Sequence, residues 1–252
     1  MINVILHGYK GRMGQVLIDL IGQATDMQVV AGVDGNAQAT DEAQGFSTFG
    51  AIADCDTPAD VIIDFSNHLA VPALLDYSVK TGIPVVVATT ALTEEEKAQM
   101  VEASTQVPVF NSSNMSLGIN LVAKCLQQIM PALEADFNVE IVEKHHNMKK
   151  DSPSGTALLL ADAANEACKE KKEYIYGRHG SEDECKISQM GIHAVRGGTI
   201  PGEHTVIFAG PDEIIEIKHT ALSRSIFANG AISAARFLTQ QGAGLYAMND
   251  MI

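Results

Sequence analysis

The sequence is poor in basic residues, and this shortage argues against one large class of partners. Its 252 residues include 17 lysines and arginines against 31 aspartates and glutamates, a formal net charge of -14. Nucleic-acid binding relies on a basic surface, so we expect no nucleic-acid partner. The same charge repels small anions in general, so any site for an anionic ligand must be locally basic.

Long hydrophobic runs and a targeting segment are also missing. No apolar stretch approaches the roughly 20 residues that a membrane-spanning helix requires. Met1 leads directly into "INVILHGYKGRMG", which has neither the basic start nor the cleavage site of a signal peptide. We therefore predict a soluble, cytoplasmic protein with no membrane partner.

Cysteines are few and scattered. The four, at positions 55, 125, 168 and 185, show no CxxC spacing. This pattern indicates reduced thiols, most simply small buried hydrophobic residues. No cysteine stands in a motif that would support a thioester-forming dehydrogenase.

The first 110 residues alternate short β-rich runs with helical stretches. We predict five strands, in "NVILHG", "MQVVAGVD", "DVIIDFS", "PVVVATT" and "VPVFNSSN". Near-continuous valine and isoleucine runs between helices predict parallel strands that helices cover on both faces.

The character of the chain changes after about residue 116. "FNVEIVEKHH" alternates like a half-buried antiparallel strand, and a helix from about Ser154 is predicted to end in the charged run "KEKKE". Strand and turn signals follow, then the helix "SIFANGAISAARFLTQQ" and the tail "GLYAMNDMI". We predict one domain from residues 1–116 plus 225–252, and a second from residues 117–224.

A glycine-rich loop joins the first predicted strand to its helix. "HGYKGRMG" places Gly8, Gly11 and Gly14 at GxxGxxG spacing, and Asp34 ends the second strand 20 residues after Gly14. Glycines allow close approach to a pyrophosphate at a helix N-terminus, and an acid in this place bonds the ribose. The pattern predicts dinucleotide binding; a merely structural tight turn is the alternative.

The residues around this loop bear on which cofactor binds. The carboxylate of Asp34 favours NADH over NADPH, while Lys10 and Arg12 partly offset that preference. We expect use of both cofactors with a lean towards NADH. At other strand ends, Phe65 and Met115 are candidates to wall the nicotinamide, and Thr89 or Thr90 is a candidate to bond its amide.

The stretch "EKHHNMKKDSPSGTA", residues 143–157, gathers positive charge in an acidic protein. Ser152 reads as a helix N-cap with Pro153 at the first helical position. The amides and hydroxyls that follow form an anion site at the helix N-terminus, which nearby basic side chains complete. We predict a substrate with two carboxylates. The residues of this site are Ser154, Gly155, Thr156, His146 and Lys149, whereas Lys150 adds charge nearby and reads as a solvated side chain.

His145 beside Lys149 provides proton chemistry near neutral pH. Asp151 reads as an acid that orders the turn. The histidine pair is also a candidate for metal binding, but no third ligand follows at suitable spacing, so we predict no metal. An inert basic surface is the remaining alternative.

Together, "E-x-HH-x-x-K-x-D-x-PSGTA", "GYKGRMG", "ATT" and "FANGA" resemble the dihydrodipicolinate reductase (4-hydroxy-tetrahydrodipicolinate reductase) family of lysine and diaminopimelate biosynthesis, over essentially the whole chain. The resemblance implies an α/β fold: a Rossmann-like doubly wound parallel sheet with a second α+β domain built on a mixed sheet. It also implies a homotetramer that associates through the second domain, and an NAD(P)H-dependent reduction of a cyclic imine with two carboxylates to tetrahydrodipicolinate.

The resemblance implies roles for individual residues. His145 would be the proton donor and acceptor, Lys149 a proton donor, and His146 with Gly155 and Thr156 the holder of the substrate carboxylates. Ala88 stands where the family often has glycine, and Met115 where many members have phenylalanine. The implied cofactor-binding residues are Gly8, Tyr9, Lys10, Gly11, Arg12, Met13, Asp34, Phe65, Ala88, Thr89, Thr90, Ser112, Ser113, Asn114 and Met115.

Two other functions remain open from the sequence. Another NAD(P)-dependent dehydrogenase of small dicarboxylates would share the same plan. A non-catalytic dinucleotide sensor would keep the glycine loop but have no use for His145 and Lys149. The segment from Arg196 to His204 reads as a hairpin and subunit contact, and His193, His204 and His219 read as structural.

Overall fold

The computed structural model describes residues 1–37, 45–180 and 184–252. The chain divides into two compact units, each described separately below. One unit comprises Met1–Ser116 and Ser225–Ile252, and the other comprises Leu117–Arg224. Among the described helices, none combines the length and apolar character needed to cross a membrane.

The helices and strands follow one another along the chain in this order. The first are β1 (Ile2–His7), α1 (Arg12–Gly22), β2 (Met27–Val33), β3 (Ser47–Phe49), β4 (Val61–Asp64), α2 (Val71–Thr81), β5 (Val85–Val87), α3 (Glu94–Ser104) and β6 (Pro108–Asn111). The next are α4 (Leu117–Leu133), β7 (Asn138–His145), α5 (Gly155–Glu166), β8 (Glu173–Tyr176), β9 (Gln189–Arg196), β10 (Gly202–Ala209), β11 (Ile214–Ala221), α6 (Ser225–Leu238) and β12 (Gly244–Tyr246).

The first unit is built on a seven-stranded sheet in the order β12-β6-β5-β4-β1-β2-β3. Every pairing in this sheet is parallel. The five predicted strands are β1, β2, β4, β5 and β6. The sequence reading misses β3 and β12, and the segment predicted as a tail in fact begins with β12. Both missed strands have three residues and lie at the edges of the sheet, so they carry little periodic signal.

Successive residues of the central strands face opposite sides of this sheet. In β1, Val4 and Leu6 join one core cluster, whereas Ile5 joins the other. Helices α1 and α6 contribute to the first cluster, and α2 and α3 contribute to the second. Both faces are therefore covered, which is why the strands contain nearly uninterrupted valine and isoleucine.

Helix α6 begins the second part of the first unit. It packs very closely on the backbone around Met115, at the end of the first part of that unit. A Cβ atom at Gly230 would collide with the backbone carbonyl oxygen of Met115. Ala228 and Ala231 on the same helix are fully buried. Small side chains on α6 therefore permit this close backbone approach.

The second unit is built on a five-stranded sheet in the order β11-β10-β7-β9-β8. Strand β7 runs antiparallel to β10, as predicted, but parallel to β9, so the sheet is mixed. Both α4 and α5 pack on the face that holds Val139 and Ile141. The predicted fold class, a Rossmann-like parallel sheet with a second α+β domain on a mixed sheet, is confirmed.

Helix α5 differs from its prediction at both ends. Its N-cap is Ser154, whose Oγ accepts a hydrogen bond from the Ala157 amide at 3.1 Å, and Pro153 precedes that cap. The helix ends at Glu166, before the charged run. Within that run, Lys172 is buried, and its Nζ donates to the Ile187 carbonyl at 2.5 Å, so the run is not a solvated helix end.

Candidate active site

The glycine loop of the first unit is shaped by close backbone contacts. Gly8 has a φ of +83°, and a Cβ atom there would lie 2.6 Å from the Phe65 carbonyl oxygen. A Cβ atom at Gly14 would collide with the backbone of Gly8 and Tyr9. Gly11 is the N-cap of α1, and no side chain caps this helix end. The free amides of the first turn therefore suit a pyrophosphate.

A carboxylate and an ammonium group lie together at the end of β2. Oδ1 of Asp34 accepts hydrogen bonds from the backbone amide of Asn36 at 2.9 Å and from its side chain at 3.2 Å. Nζ of Lys10 donates to the carbonyl oxygen of Asn36 at 2.7 Å. Lys10 therefore reaches from the glycine loop to the turn that holds the acid.

A buried acid connects three strand ends. Asp64, at the end of β4, is fully buried. Its Oδ1 lies 2.8 Å from Nδ1 of His7 and accepts from the Ser66 hydroxyl at 2.6 Å. Its Oδ2 accepts from the Thr89 hydroxyl at 2.6 Å. These bonds fix the loops that follow β4 and β5 beside the end of β1.

The other candidate cofactor residues of this unit differ in exposure. Thr89 is buried and donates its hydroxyl hydrogen to Asp64, so that hydroxyl can only accept from a ligand. Met115 and Ala88 are buried in the core, and Phe65 packs against the same cluster. The more exposed candidates on these loops are Arg12, Thr90 and Ser113.

In the second unit, His145 lies at the end of β7 and contacts a buried carboxylate on its own strand. Nδ1 of His145 is 2.6 Å from Oε2 of Glu143, whose side chain is fully buried. The two terminal guanidinium nitrogens of Arg196, Nη1 and Nη2, donate to Glu143 at 2.7 Å, and the Ser154 amide donates at 2.9 Å. The carboxylate therefore has four hydrogen bonds to three residues.

The surroundings shift the pKa values of this pair. Burial raises the pKa of Glu143, but hydrogen bonds from Arg196, His145 and the Ser154 amide outweigh it and hold the pKa below its ordinary value. Burial is the largest influence on His145 and lowers its pKa, against the opposing effect of Glu143. The positive charges of Lys149 and Arg196 add to the lowering.

A second imidazole packs against the first. The rings of His145 and His204 meet edge to face, with centroids 5.1 Å apart. Nε2 of His204 lies 3.0 Å from the Ser154 hydroxyl, whereas its buried Nδ1 has no hydrogen-bond partner among the residues that the structure describes. Burial lowers the pKa of His204 to about 4, so this ring is neutral at neutral pH.

The N-terminus of α5 begins beside these histidines. At Gly155 a Cβ atom would meet open space, so a ligand carboxylate can approach the amides there. Nζ of Lys149 pairs with Asp151 at 2.9 Å, and the Asp151 carbonyl accepts from Arg196 at 2.7 Å. The acid thus orders the turn, as predicted. His146 is half-buried and Lys150 is exposed on the same turn.

The segment from Arg196 to His204 is not the predicted hairpin, because β9 and β10 lie on opposite sides of β7 and do not pair with each other. Arg196 and His204, predicted as ends of a structural hairpin, touch Glu143 and His145 respectively. The strand order explains this, because β9 and β10 flank β7 and bring them to its end. The spacing of Glu143 and His145 was the available signal, since residues i and i+2 of a strand share a face. In the part of the chain that the structure describes, no three metal-binding side chains cluster.

Comparisons with known proteins agree with the motifs. The family descriptions "Dihydrodipicolinate reductase, N-terminus" and "Dihydrodipicolinate reductase, C-terminus" match residues 2–115 and 118–252. The chain is 50% identical over 252 residues to the 4-hydroxy-tetrahydrodipicolinate reductase of Caldanaerobacter subterraneus subsp. tengcongensis, covering 100% of this chain and 98% of that one. It is 45% identical to the Clostridium novyi protein of the same name, with the same coverage.

The fold is also similar to that of solved structures. A dipicolinate-bound dihydrodipicolinate reductase from Paenisporosarcina sp. TG-14 superposes with a TM-score of 0.83 at 22% identity, covering 100% of both chains. A probable dehydrogenase from Thermotoga maritima gives 0.64 at 12% identity, covering 98% of this chain and 92% of that one. The resemblance found in the sequence motifs is confirmed: the chain belongs to the dihydrodipicolinate reductase family.

Proposed function

We propose that this protein reduces the cyclic imine formed by loss of water from 4-hydroxy-tetrahydrodipicolinate, giving tetrahydrodipicolinate in lysine and diaminopimelate biosynthesis. One observation supports this chemistry most directly. The His145–Glu143 pair lies beside the open N-terminus of α5, so a proton-transfer group and an anion site adjoin. A planar substrate with carboxylates and a reducible ring needs both.

The anion site is the proposed binding place of the substrate carboxylates. Gly155 and Thr156 offer backbone amides at the start of α5, and Ser154 caps the same end. His146 and Lys149 add polar and positive groups from the preceding turn. This local positive potential opposes the repulsion expected from the net charge of -14, because distant charges are screened beyond roughly 10 Å.

The proposed reaction adds one hydride and one proton to the ring. Reduced nicotinamide supplies the hydride when it is bound. We assign the proton to Nε2 of His145 or to Nζ of Lys149, while the carboxylate site holds the ring in one orientation. Orientation of this kind accounts for large rate factors, with effective molarities on the order of 10⁵ M or more.

For the cofactor, we propose use of both NADH and NADPH with a lean towards NADH. Asp34 stands where an acid bonds the ribose of NADH, and this carboxylate opposes a 2′-phosphate. Lys10 contacts the same turn through Asn36 and supplies compensating positive charge. The adjacency of these two charges supports dual use.

We also propose that the first unit binds the dinucleotide and that the second carries substrate binding and assembly into a homotetramer. The second sheet supports the assembly, because its two helices pack on the same face. Val142 and Ile207 on the opposite face are half-buried. Sedimentation velocity tests the assembly, and a monomer would contradict it.

Reduced-cofactor absorbance tests the activity directly. The substrate is the freshly made condensation product of pyruvate and aspartate semialdehyde. We expect absorbance to fall with either reduced cofactor, and faster with NADH. Intact cofactor binding without oxidation would favour a dinucleotide sensor instead. Oxidation with other dicarboxylates but not with this product would favour another dehydrogenase.

A further inference from the structure

We propose that Glu143 is a positioning residue for the proposed reaction: it accepts the Nδ1 hydrogen of His145 and so leaves Nε2 as the nitrogen that transfers the proton. This inference rests on the proton-transfer role of His145 proposed above. It concerns the tautomer and orientation of that ring, and it can be tested separately from activity.

The first step of the argument is that Glu143 is an acceptor. Arg196 is a permanent cation, and it donates to both oxygens of Glu143 at 2.7 Å. The Ser154 amide adds a third donor at 2.9 Å. A buried carboxylate with this many donors stays ionised and has no hydrogen to give. Nδ1 of His145, 2.6 Å away, must therefore carry the hydrogen.

The second step is that Arg196 is itself held in place. Its guanidinium also donates to the Asp151 carbonyl at 2.7 Å and to the Val195 carbonyl at 2.8 Å. The hydrogen bond to Glu143 raises the pKa of Arg196 further above its ordinary range. The Glu143 carboxylate is thus held by the Arg196 guanidinium, which is itself hydrogen-bonded to two carbonyls, and by the backbone amide of Ser154.

The third step concerns the other nitrogen of the ring. No hydrogen bond engages Nε2 of His145 among the residues that the structure describes. A Cβ atom at residue 202 would lie 3.1 Å from this nitrogen. Gly202 therefore leaves the approach to Nε2 less obstructed than any other residue would. The hydrogen-bonded nitrogen faces the protein, and the unengaged one is available to a ligand.

The fourth step is the charge balance around the ring. Glu143 is the group that raises the pKa of His145, whereas burial, Lys149 and Arg196 lower it. Removal of the Glu143 charge therefore disfavours the imidazolium form that donates a proton. The charged and titratable groups that face this ring or its immediate neighbours are Glu143 on β7, Lys149 and Asp151 on the following turn, Arg196 on β9, His204 on β10 and His219 on β11.

The same strand provides a matched control. Glu140, on the other face of β7, contacts Nε2 of His193 at 2.6 Å and Nη1 of Arg178 at 2.7 Å. This is the same set of three residue types, three positions earlier on the strand. Glu140→Gln therefore removes an equivalent carboxylate charge without changing the contacts of His145. Sedimentation velocity checks that the assembly of this variant matches the wild type.

The kinetic test uses Glu143→Gln, Glu143→Asp and Glu140→Gln. We expect Glu143→Gln to lower kcat about 100-fold. KM and the affinity for pyridine-2,6-dicarboxylate should stay within about twofold of wild type. The basic limb of its pH–kcat profile should move to lower pH, because the imidazolium form is lost earlier. Glu143→Asp should keep that limb in place, and Glu140→Gln should match wild type. An unchanged kcat and pH profile in Glu143→Gln would overturn the proposal.

The tautomer test needs no change at Glu143 and no activity. Wild-type protein labelled with ¹⁵N-histidine is compared with a His145→Gln sample, which assigns the His145 signals. We expect the Nδ1–H tautomer at high pH. An Nε2–H tautomer would refute the proposal even if Glu143→Gln fails to fold. Inactive wild-type protein with the Nδ1–H tautomer would sink the proposed function and leave only the tautomer assignment standing.

Discussion

The ring of His145 lies edge-on to the ring of His204, with centroids 5.1 Å apart and an interplanar angle of 71°. One of these imidazoles contacts a charged carboxylate, and the other contacts only a hydroxyl through its hydrogen-bonded nitrogen. Identical side chains in contact are therefore adapted to different tasks. The pair supplies one imidazole held by a carboxylate and one packing ring that stays neutral at neutral pH.

Replacement of His145 should affect chemistry and spare cofactor binding. We expect His145→Gln to lower kcat by about 100-fold or more, because the proposed proton donor is lost. NADH affinity, measured by fluorescence titration, should stay close to wild type, because His145 is not among the proposed cofactor ligands. Turnover within about twofold of wild type would assign the proton to Lys149 instead.

Gly155 should tolerate alanine structurally but not functionally. A Cβ atom there meets open space, so the melting temperature should hardly change. The added methyl group occupies the approach to the amides of α5, so KM for the substrate should rise about tenfold. Gly22→Ala at the end of α1 also meets open space and serves as the control. An unchanged KM would place the carboxylates elsewhere.

The charges at the end of β2 should control cofactor choice in opposite directions. Asp34→Ser should lower the kcat/KM ratio of NADH to NADPH by about tenfold, because the repulsion of a 2′-phosphate is removed. Lys10→Ala should raise the same ratio. Lys97→Ala is a control, since Lys97 pairs with Glu94 on α3. Equal ratios in all variants would remove both residues from cofactor selection.

His204 should make the protein less stable in mild acid. Burial lowers its pKa to about 4 in the folded state, below the unfolded value of about 6.5. The unfolded state therefore binds more protons between these values, and stability falls as pH drops from about 6.5 to about 4. The loss attributable to this ring is at most roughly 3 kcal/mol.

Urea denaturation across this pH range measures the effect. His204→Gln should show a flatter dependence of the unfolding free energy on pH than wild type. His145 and His219, whose pKa values burial also lowers, contribute in the same direction in both proteins. Parallel curves for the two proteins would exclude His204 as a source of acid sensitivity.

The sequence was informative where the signal is local. The capping box of α3 illustrates this: Thr93 accepts from the Glu96 amide at 3.2 Å, and Glu96 accepts from the Thr93 amide at 2.7 Å. Thr93 and Glu96 are three positions apart, so the motif can be recognised from the sequence alone. The glycine loop, and Asp34 directly after β2, could be recognised for the same reason.

Contacts that depend on strand order were not predictable. Arg196 lies 53 positions after Glu143, and His7 lies 57 positions before Asp64. Only the pairing of β7 with β9 and of β1 with β4 brings them together. The prediction that Ser152 is the N-cap of α5 was wrong for another reason. Ser152 and Ser154 are both suitable N-cap residues, and only the observed backbone conformation distinguishes them.

The glycine contact between α6 and the backbone of Met115 bears on how this chain can vary. The polypeptide departs from the first unit at Ser116 and returns at Ser225, so both junctions are anchored within a few residues of that contact. The segment Leu117–Arg224 is an insertion whose two ends are both joined to the first unit. A change in the length of that segment therefore leaves both anchoring points in the first unit unmoved.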